Sequence, residues 1–151
     1  MIEFNVRVNF SPEPDDMLHR FNLEPGGRVQ QVIDRAVIDY SLPYWAWDTG
    51  TLARSAYAAT VYGSGMVVWP GPYAHYMAKG EVYGPNIPIF DDDSGTPTGF
   101  FSKPGSKKHP TGARLKYKTD VNPLAGAYPI ERMKADHTND ILEEARRAAG
   151  G

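Results

Sequence analysis

Glycine and proline interrupt this chain so often that most of its regular elements are predicted to be short. The 151 residues include thirteen prolines and fifteen glycines, and both residue types favour turns over the interior of helices and strands. This density predicts long connections between short elements, the kind of surface through which proteins bind neighbours. The length fits one compact domain, 1–151, and the fractions of 41% hydrophobic and 23% charged residues are ordinary for a globular protein.

Two apolar patterns predict the first strand and the first long helix. Apolar residues alternate with polar ones near the N-terminus, which predicts a half-buried strand. The alternating residues are Ile2, Phe4, Val6, Val8 and Phe10. From Arg28 the apolar residues recur at steps of three and four, which predicts an amphipathic helix that faces a core and ends before Pro43. Its stripe consists of Val29, Val32, Ile33, Ala36, Val37 and Tyr40. The aromatic segment 43–47 that follows should anchor a loop onto the sheet.

The middle of the chain predicts a short helix and a hairpin. Asp48 or Thr49 is suited to cap a helix that begins directly after it. Residues 58–62 and 66–69 are rich in β-branched and aromatic side chains and flank the turn sequence 63–65. Two such segments around a glycine-rich turn are typical of a β-hairpin.

The second half of the chain predicts a long connection followed by a helix. The glycines and prolines after residue 80 indicate an irregular loop or arm over about 81–118, which is uncommon in a compact domain unless it has a function. Pro129 suits a first helical position, and apolar residues keep helical spacing from there to about residue 149. The predicted fold is α+β, with a small, mainly antiparallel sheet packed against two principal helices.

The search for catalytic and metal-binding patterns points away from an enzyme. The histidines, His19, His75, His109 and His137, are far apart and lack a spacing that metal ligands favour. The acidic run 91–93 lacks the glycine and the glutamate that a calcium loop needs at fixed positions. No nucleophile, base and orienting group can be placed together, and no phosphate-binding glycine motif is present. The prediction is a non-enzymatic protein without a cofactor or a metal.

Charge is unevenly distributed after residue 90. The acidic run Asp91, Asp92 and Asp93 is followed by basic residues with no acid between them, which are Lys103, Lys107, Lys108, Arg114, Lys116 and Lys118. This pattern fits a solvated loop, an electrostatic contact between the basic stretch of one subunit and the acidic loop of another, or a surface that faces DNA phosphates. The formal net charge of -2 argues against a general nucleic-acid coat. The absence of cysteine and of a continuous apolar stretch fits a protein that is assembled in the cytoplasm and has no contact with a membrane.

Four segments resemble a family of bacteriophage proteins. Residues 48–55, DTGTLARS, resemble the TGxLxxS element of tail-completion and minor capsid proteins of long-tailed phages. Residues 72–88, PYAHYMAKGEVYGPNIP, resemble the signature of one phage minor capsid family, and residues 109–117 and 128–133 resemble its C-terminal portion. Residues before Pro43 agree with the family only in pattern, a strand followed by a helix.

The resemblance implies a ring-forming subunit of the head–tail connector, or neck, with no catalytic residues. Its expected partners are further copies of itself, six-fold rather than twelve-fold, together with neighbouring neck and tail proteins. The expected location is the virion, with possible non-specific contact to DNA in the lumen. Candidate subunit-interface residues are Tyr73, Tyr76, Met77, Tyr83, Asp91, Asp92 and Asp93. The alternatives are a tail terminator ring, a DNA-contacting packaging protein that uses Lys103 to Lys118, and a small enzyme.

Overall fold

Short helices and strands alternate along the chain in the computed structural model, which describes residues 1–6, 19–20, 22–91 and 93–150. The helices are α1 (Arg28–Ser41), α2 (Thr51–Ala59), α3 (Ala74–Lys79) and α4 (Pro129–Gly150), with a 3₁₀ turn at Leu42–Tyr44. The strands are β1 (Ile2–Asn5), β2 (Met66–Trp69), β3 (Glu81–Gly84), β4 (Ile87–Ile89), β5 (Gly99–Phe101) and β6 (His109–Arg114). They pair as three antiparallel, two-stranded ladders, β1–β2, β3–β6 and β4–β5. The predicted α+β class is confirmed, and the predicted sheet is divided into these ladders.

The two principal helices pack against each other as predicted. α1 buries its stripe through Val29, Ile33 and Val37, while α4 buries Ile130 and Met133 against the same core. α4 begins at the predicted Pro129 and extends to the end of the described chain. We refer to α1–α4 together with β1 and β2 as the body.

The hairpin predicted over residues 58–69 is wrong. Residues 58 and 59 belong to α2, and β2 pairs with β1 instead, in the register Ile2 opposite Trp69 and Phe4 opposite Val67. The predicted N-terminal strand is present at Ile2–Asn5, while residues 7–10 lie outside the described residues. The alanines of α2 favour a helix, and this helix buries one face against α1. Together these effects extend α2 through Ala59, because they outweigh the strand propensity of the β-branched residues that follow.

A buried carboxylate stabilises the turn over residues 63–65, which was predicted to connect the two strands of a hairpin. Asp34 of α1 is fully buried. Its Oδ2 accepts hydrogen bonds from the amides of Gly63, at 2.7 Å, and Gly65, at 3.3 Å. The Gln30 side chain donates to Oδ1 at 2.8 Å. Both glycines have positive φ angles, which bring their amides to the carboxylate.

Aromatic side chains fix the segment after α1 to β2, as predicted. Trp45 and Trp69 are both buried, with ring centroids 5.3 Å apart. Trp69 also meets Phe4 edge-on at 5.6 Å and donates from its indole nitrogen to the carbonyl of Ala53. Such contacts hold β1, β2 and α2 in one arrangement.

The connection predicted as irregular contains regular β-structure. β3 and β4 follow α3, the chain reverses between Ile89 and Gly99, and β5 and β6 pair antiparallel with β4 and β3, respectively. Residues 81–114 thus form one long interrupted hairpin, which we call the arm. Backbone pairing satisfies peptide groups that an irregular loop would leave to water, so the many glycines and prolines are compatible with strands here.

Candidate interaction arm

The base of the arm is fixed to α3 by backbone contacts. Gly80 ends α3 with φ 72°, and a Cβ atom on it would lie 2.6 Å from the Cβ of Ala127, so only glycine fits without displacement. The amide of Leu115 donates to the carbonyl of Gly80 at 2.9 Å. The Tyr117 hydroxyl donates to the carbonyl of Met77 at 2.6 Å, and burial raises the pKa of Tyr117. The arm therefore leaves the body from a defined position.

Three aromatic rings pack where α3 meets β3. The rings of Tyr76 and Tyr83 lie 4.6 Å apart, and His75 contacts both edge-on. Two of the predicted interface residues thus stabilise the base of the arm within one copy of the chain. Met77 packs against the core of the body, whereas Tyr73 is 72% exposed.

Lys108 joins the two sides of the arm. Its ammonium group donates to the Pro85 carbonyl at 2.8 Å and to Asn86 Oδ1 at 2.6 Å, and it also contacts the Ser102 hydroxyl. An ammonium group has three protons to donate. Lys108 can therefore satisfy each of them within the arm, which leaves it less suited than its neighbours to contact DNA or another subunit.

The other predicted basic residues are dispersed along and beyond the arm. Lys118 lies 3.6 Å from Asp48, in a pair so exposed that it adds little stability. Arg114 in β6 is opposite Glu81 in β3. Lys103, Lys107 and Lys116 are exposed and form no ion pair within the described part of the chain.

Two residues of the acidic run, Asp91 and Asp93, lie in the turn at the far end of the arm. Asp91 and Asp93 are exposed, and within the described ranges neither forms an ion pair with a basic side chain. Asp92 lies outside the described residues. The acidic run and the basic stretch are thus close in sequence, but no described ion pair joins them.

The far end of the arm also exposes large apolar side chains, which sequence reasoning missed. Ile89, Phe90, Phe100 and Phe101 are 40%, 52%, 63% and 46% exposed, respectively, and with Ile87 they form what we call the tip. No tip residue belongs to the hydrophobic core cluster. The sequence signal for the exposed apolar residues was the pair of apolar groups NIPIF and GFF, which lie on either side of the acidic run.

Both faces of the tip are apolar. Ile87 is opposite Phe101 and Ile89 is opposite Gly99, while the intervening pair is Pro88 and Phe100. Because successive residues of a strand point to opposite faces, Ile87, Ile89 and Phe101 share one face, and Pro88 and Phe100 share the other. A ladder with one solvated face would alternate apolar with polar residues. This ladder therefore has the composition of a segment that is covered on both sides.

Within the described ranges, no group of three or more histidine, aspartate or glutamate side chains is placed to hold a metal ion. No described helix has both the length and the apolar character required to cross a membrane. A scan against protein-family models gives no match, and searches of curated proteins and of solved structures give none either.

Proposed function

We propose that this chain is a structural virion protein of a tailed bacteriophage, a ring-forming subunit of the neck that joins head to tail. The observation that carries the proposal is the arm, a fixed hairpin whose end exposes apolar side chains on both faces. Exposed apolar patches on soluble proteins mark surfaces that bind other proteins. Function then lies in contacts between subunits and with neighbouring neck and tail proteins.

The segment that resembles the phage family adjoins this feature. Residues 72–88 comprise α3, the aromatic contacts at the base of the arm, β3 and the start of β4. The resemblance thus covers the base of the arm, and the exposed apolar end follows directly in the chain. A ring also requires a heterologous interface, in which two different patches meet, and an arm that leaves the body supplies one such patch.

Contact with DNA is less well supported than contact with protein. Lys108 is engaged within the arm, and Lys118 lies beside Asp48. The basic side chains without a described ion pair are separated in sequence, and the tip, whose residues lie on both sides of the acidic run, is apolar. An apolar hairpin end gains nothing from phosphates, whose attraction is electrostatic.

Localisation in the particle tests the proposal. A tag fused after Gly151 and labelled with a gold-conjugated antibody should appear, by electron microscopy, as a ring of label between head and tail. Label on the shell or at the tail tip would overturn the proposal. Particles produced without this chain should yield separate heads and tails, whereas tails of uncontrolled length would support the tail terminator alternative.

A further inference from the structure

An apolar groove lies on the body, between β1, α1 and α4. It has a volume of about 430 Å³, and its walls include Phe4, Ile33, Val37, Met133, Ile141 and Leu142. Two oppositely charged residues, Glu131 and Lys134, and the polar residue Thr138 also line it. Its volume falls in the range of clefts that bury small apolar ligands, roughly 300–1,000 Å³.

The tip does not occupy the groove of its own chain. No tip residue lines the groove, and the main contacts of β4 and β5 are with each other. A ladder that is apolar on both faces cannot be covered by lying flat on a surface, because one face would remain in water. Insertion between two walls covers both faces, and the groove supplies a wall from β1 and another from α4.

We infer that the tip of one copy inserts into the groove of the next copy. This inference rests on the proposed ring and names the two patches of its heterologous interface. Each copy then donates a tip on one side and accepts a tip on the other, so that the contact repeats around a closed ring. A second copy is the occupant that the chain itself specifies, since both complementary surfaces are present in every subunit.

Charge and area set conditions on this arrangement. Asp91 and Asp93 flank the tip, so the tip must enter with these aspartates beside Lys134 and away from Glu131, which lines the same groove. Asp91, Asp93 and Lys134 form no ion pair within the described residues. The four large tip side chains, about half exposed, present roughly 400 Å² of surface, given about 150–250 Å² for a whole aromatic side chain. A stable interface needs about 800 Å² on each partner, so the flanks of the arm must also be buried.

The absence of cysteine allows a direct test with single-cysteine variants. Phe100→Cys would mark the tip and Thr138→Cys the groove, in two full-length chains that carry tags of different mass. Asn139→Cys is the matched control, because it replaces a neighbouring exposed polar residue of α4 whose side chain points about 100° away around the helix and does not line the groove. The two chains are mixed in equal amounts, oxidised and separated without reductant.

Disulfide-linked mixed dimers of the Phe100→Cys and Thr138→Cys chains should exceed those with the Asn139→Cys chain at least ten-fold. Equal yields from the two α4 positions would overturn the inference, and so would a predominance of linked Phe100→Cys pairs. If mixed dimers fail to exceed the control although the tagged subunit lies in a neck ring, only the inference fails. If they form although the subunit lies elsewhere in the particle, the contact between copies stands and the proposed location fails.

Discussion

The body and the arm treat their polar and apolar groups in opposite ways. In the body, most of the large apolar side chains pack inward, and a buried carboxylate, Asp34, binds the amides of a distant turn. In the arm, ladders and Lys108 satisfy polar groups, while the apolar side chains of the tip point outward. Substitutions in the buried core of the body should therefore change folding, and substitutions in the tip should change assembly.

Removal of the Asp34 carboxylate should produce the largest effect on stability. Asp34→Ala leaves the amides of Gly63 and Gly65 without the acceptor that they have in the native fold. Loss of charge-assisted hydrogen bonds from buried donors should lower the free energy of unfolding by about 3–5 kcal/mol. Urea unfolding followed by circular dichroism measures this change. Asp48→Ala, at a fully exposed aspartate, is the matched control and should shift the midpoint little.

A small effect of Asp34→Ala would show that the turn over 63–65 is held by packing alone. Asp34→Asn separates charge from shape. Its amide oxygen can still accept from both glycine amides, but its NH₂ group cannot accept from the Gln30 side chain. We expect this variant to lie between Asp34→Ala and the unchanged chain. If all three chains unfolded at the same urea concentration, the buried carboxylate would not stabilise the body. The body would then lose its clearest difference from the arm.

Polar substitutions in the tip should affect association and leave folding intact. In the double variant Phe90→Ser and Phe100→Ser, both altered side chains are more than half exposed and lie outside the core cluster. Burial of apolar area supports most protein association, so we expect self-association, measured by sedimentation equilibrium, to weaken about 100-fold, or about 2.7 kcal/mol. The urea midpoint should stay within the experimental error.

Tyr73→Ser is the matched control for the tip. Tyr73 is the most exposed of the predicted interface aromatics and lies on the body, immediately before α3. If its loss weakens association as much as the tip variant does, the interface includes the body near α3, and the contrast between body and arm must be redrawn.

Lys108 should contribute to the order of the arm and little to global stability. In Lys108→Met, water can replace the ammonium at the Pro85 carbonyl and at Asn86, which are both exposed. Hydrogen exchange of amides in the arm should accelerate about ten-fold, equivalent to about 1.4 kcal/mol of local stability, while exchange in α1 and α4 stays unchanged. Lys107→Met, at the adjacent exposed lysine, should leave both rates unaltered. Faster exchange in the helices would contradict the independence of the arm.

Sequence periodicity predicted the body better than the arm. α1 and α4 were predictable because each buries one stripe, and residues at steps of three and four record that burial directly. The partner of β2 was not, since pairing with β1 joins residues more than sixty positions apart and local propensity carries no information about it. The glycine and proline content predicted an irregular connection over residues 81–118, whereas the structure has four strands within this range.

The candidate site was predictable in place and only partly in composition. The density of glycine and proline predicted a long connection over the segment that forms the arm. Tyr76 and Tyr83, proposed for an interface, contact each other, and Lys108, proposed for DNA or an acidic partner, contacts its own arm. Strand register determines which side chains point to each face of a ladder. The register of β4 and β5 is known only from the structure, in which Ile87 pairs with Phe101.

The smallest predicted effect concerns alkaline pH and belongs to the body. Burial, followed by a 2.6 Å hydrogen bond to Asp136, raises the pKa of Tyr44 to about 12. The unfolded chain loses this proton near pH 10 and the folded chain near pH 12, so the contribution to stability is complete below pH 10 and is lost as pH rises towards 12. Burial also raises the pKa of Tyr57 to about 12, so Tyr57 contributes to the same loss of stability at alkaline pH.

Tyr44→Phe should therefore unfold more easily by about 1 kcal/mol at pH 8 and lose less stability than the unchanged chain between pH 10 and 12. Parallel curves for the two chains would contradict the role of Tyr44, and a matching pH dependence of tip-mediated association would show that α4 transmits changes in the body to the groove.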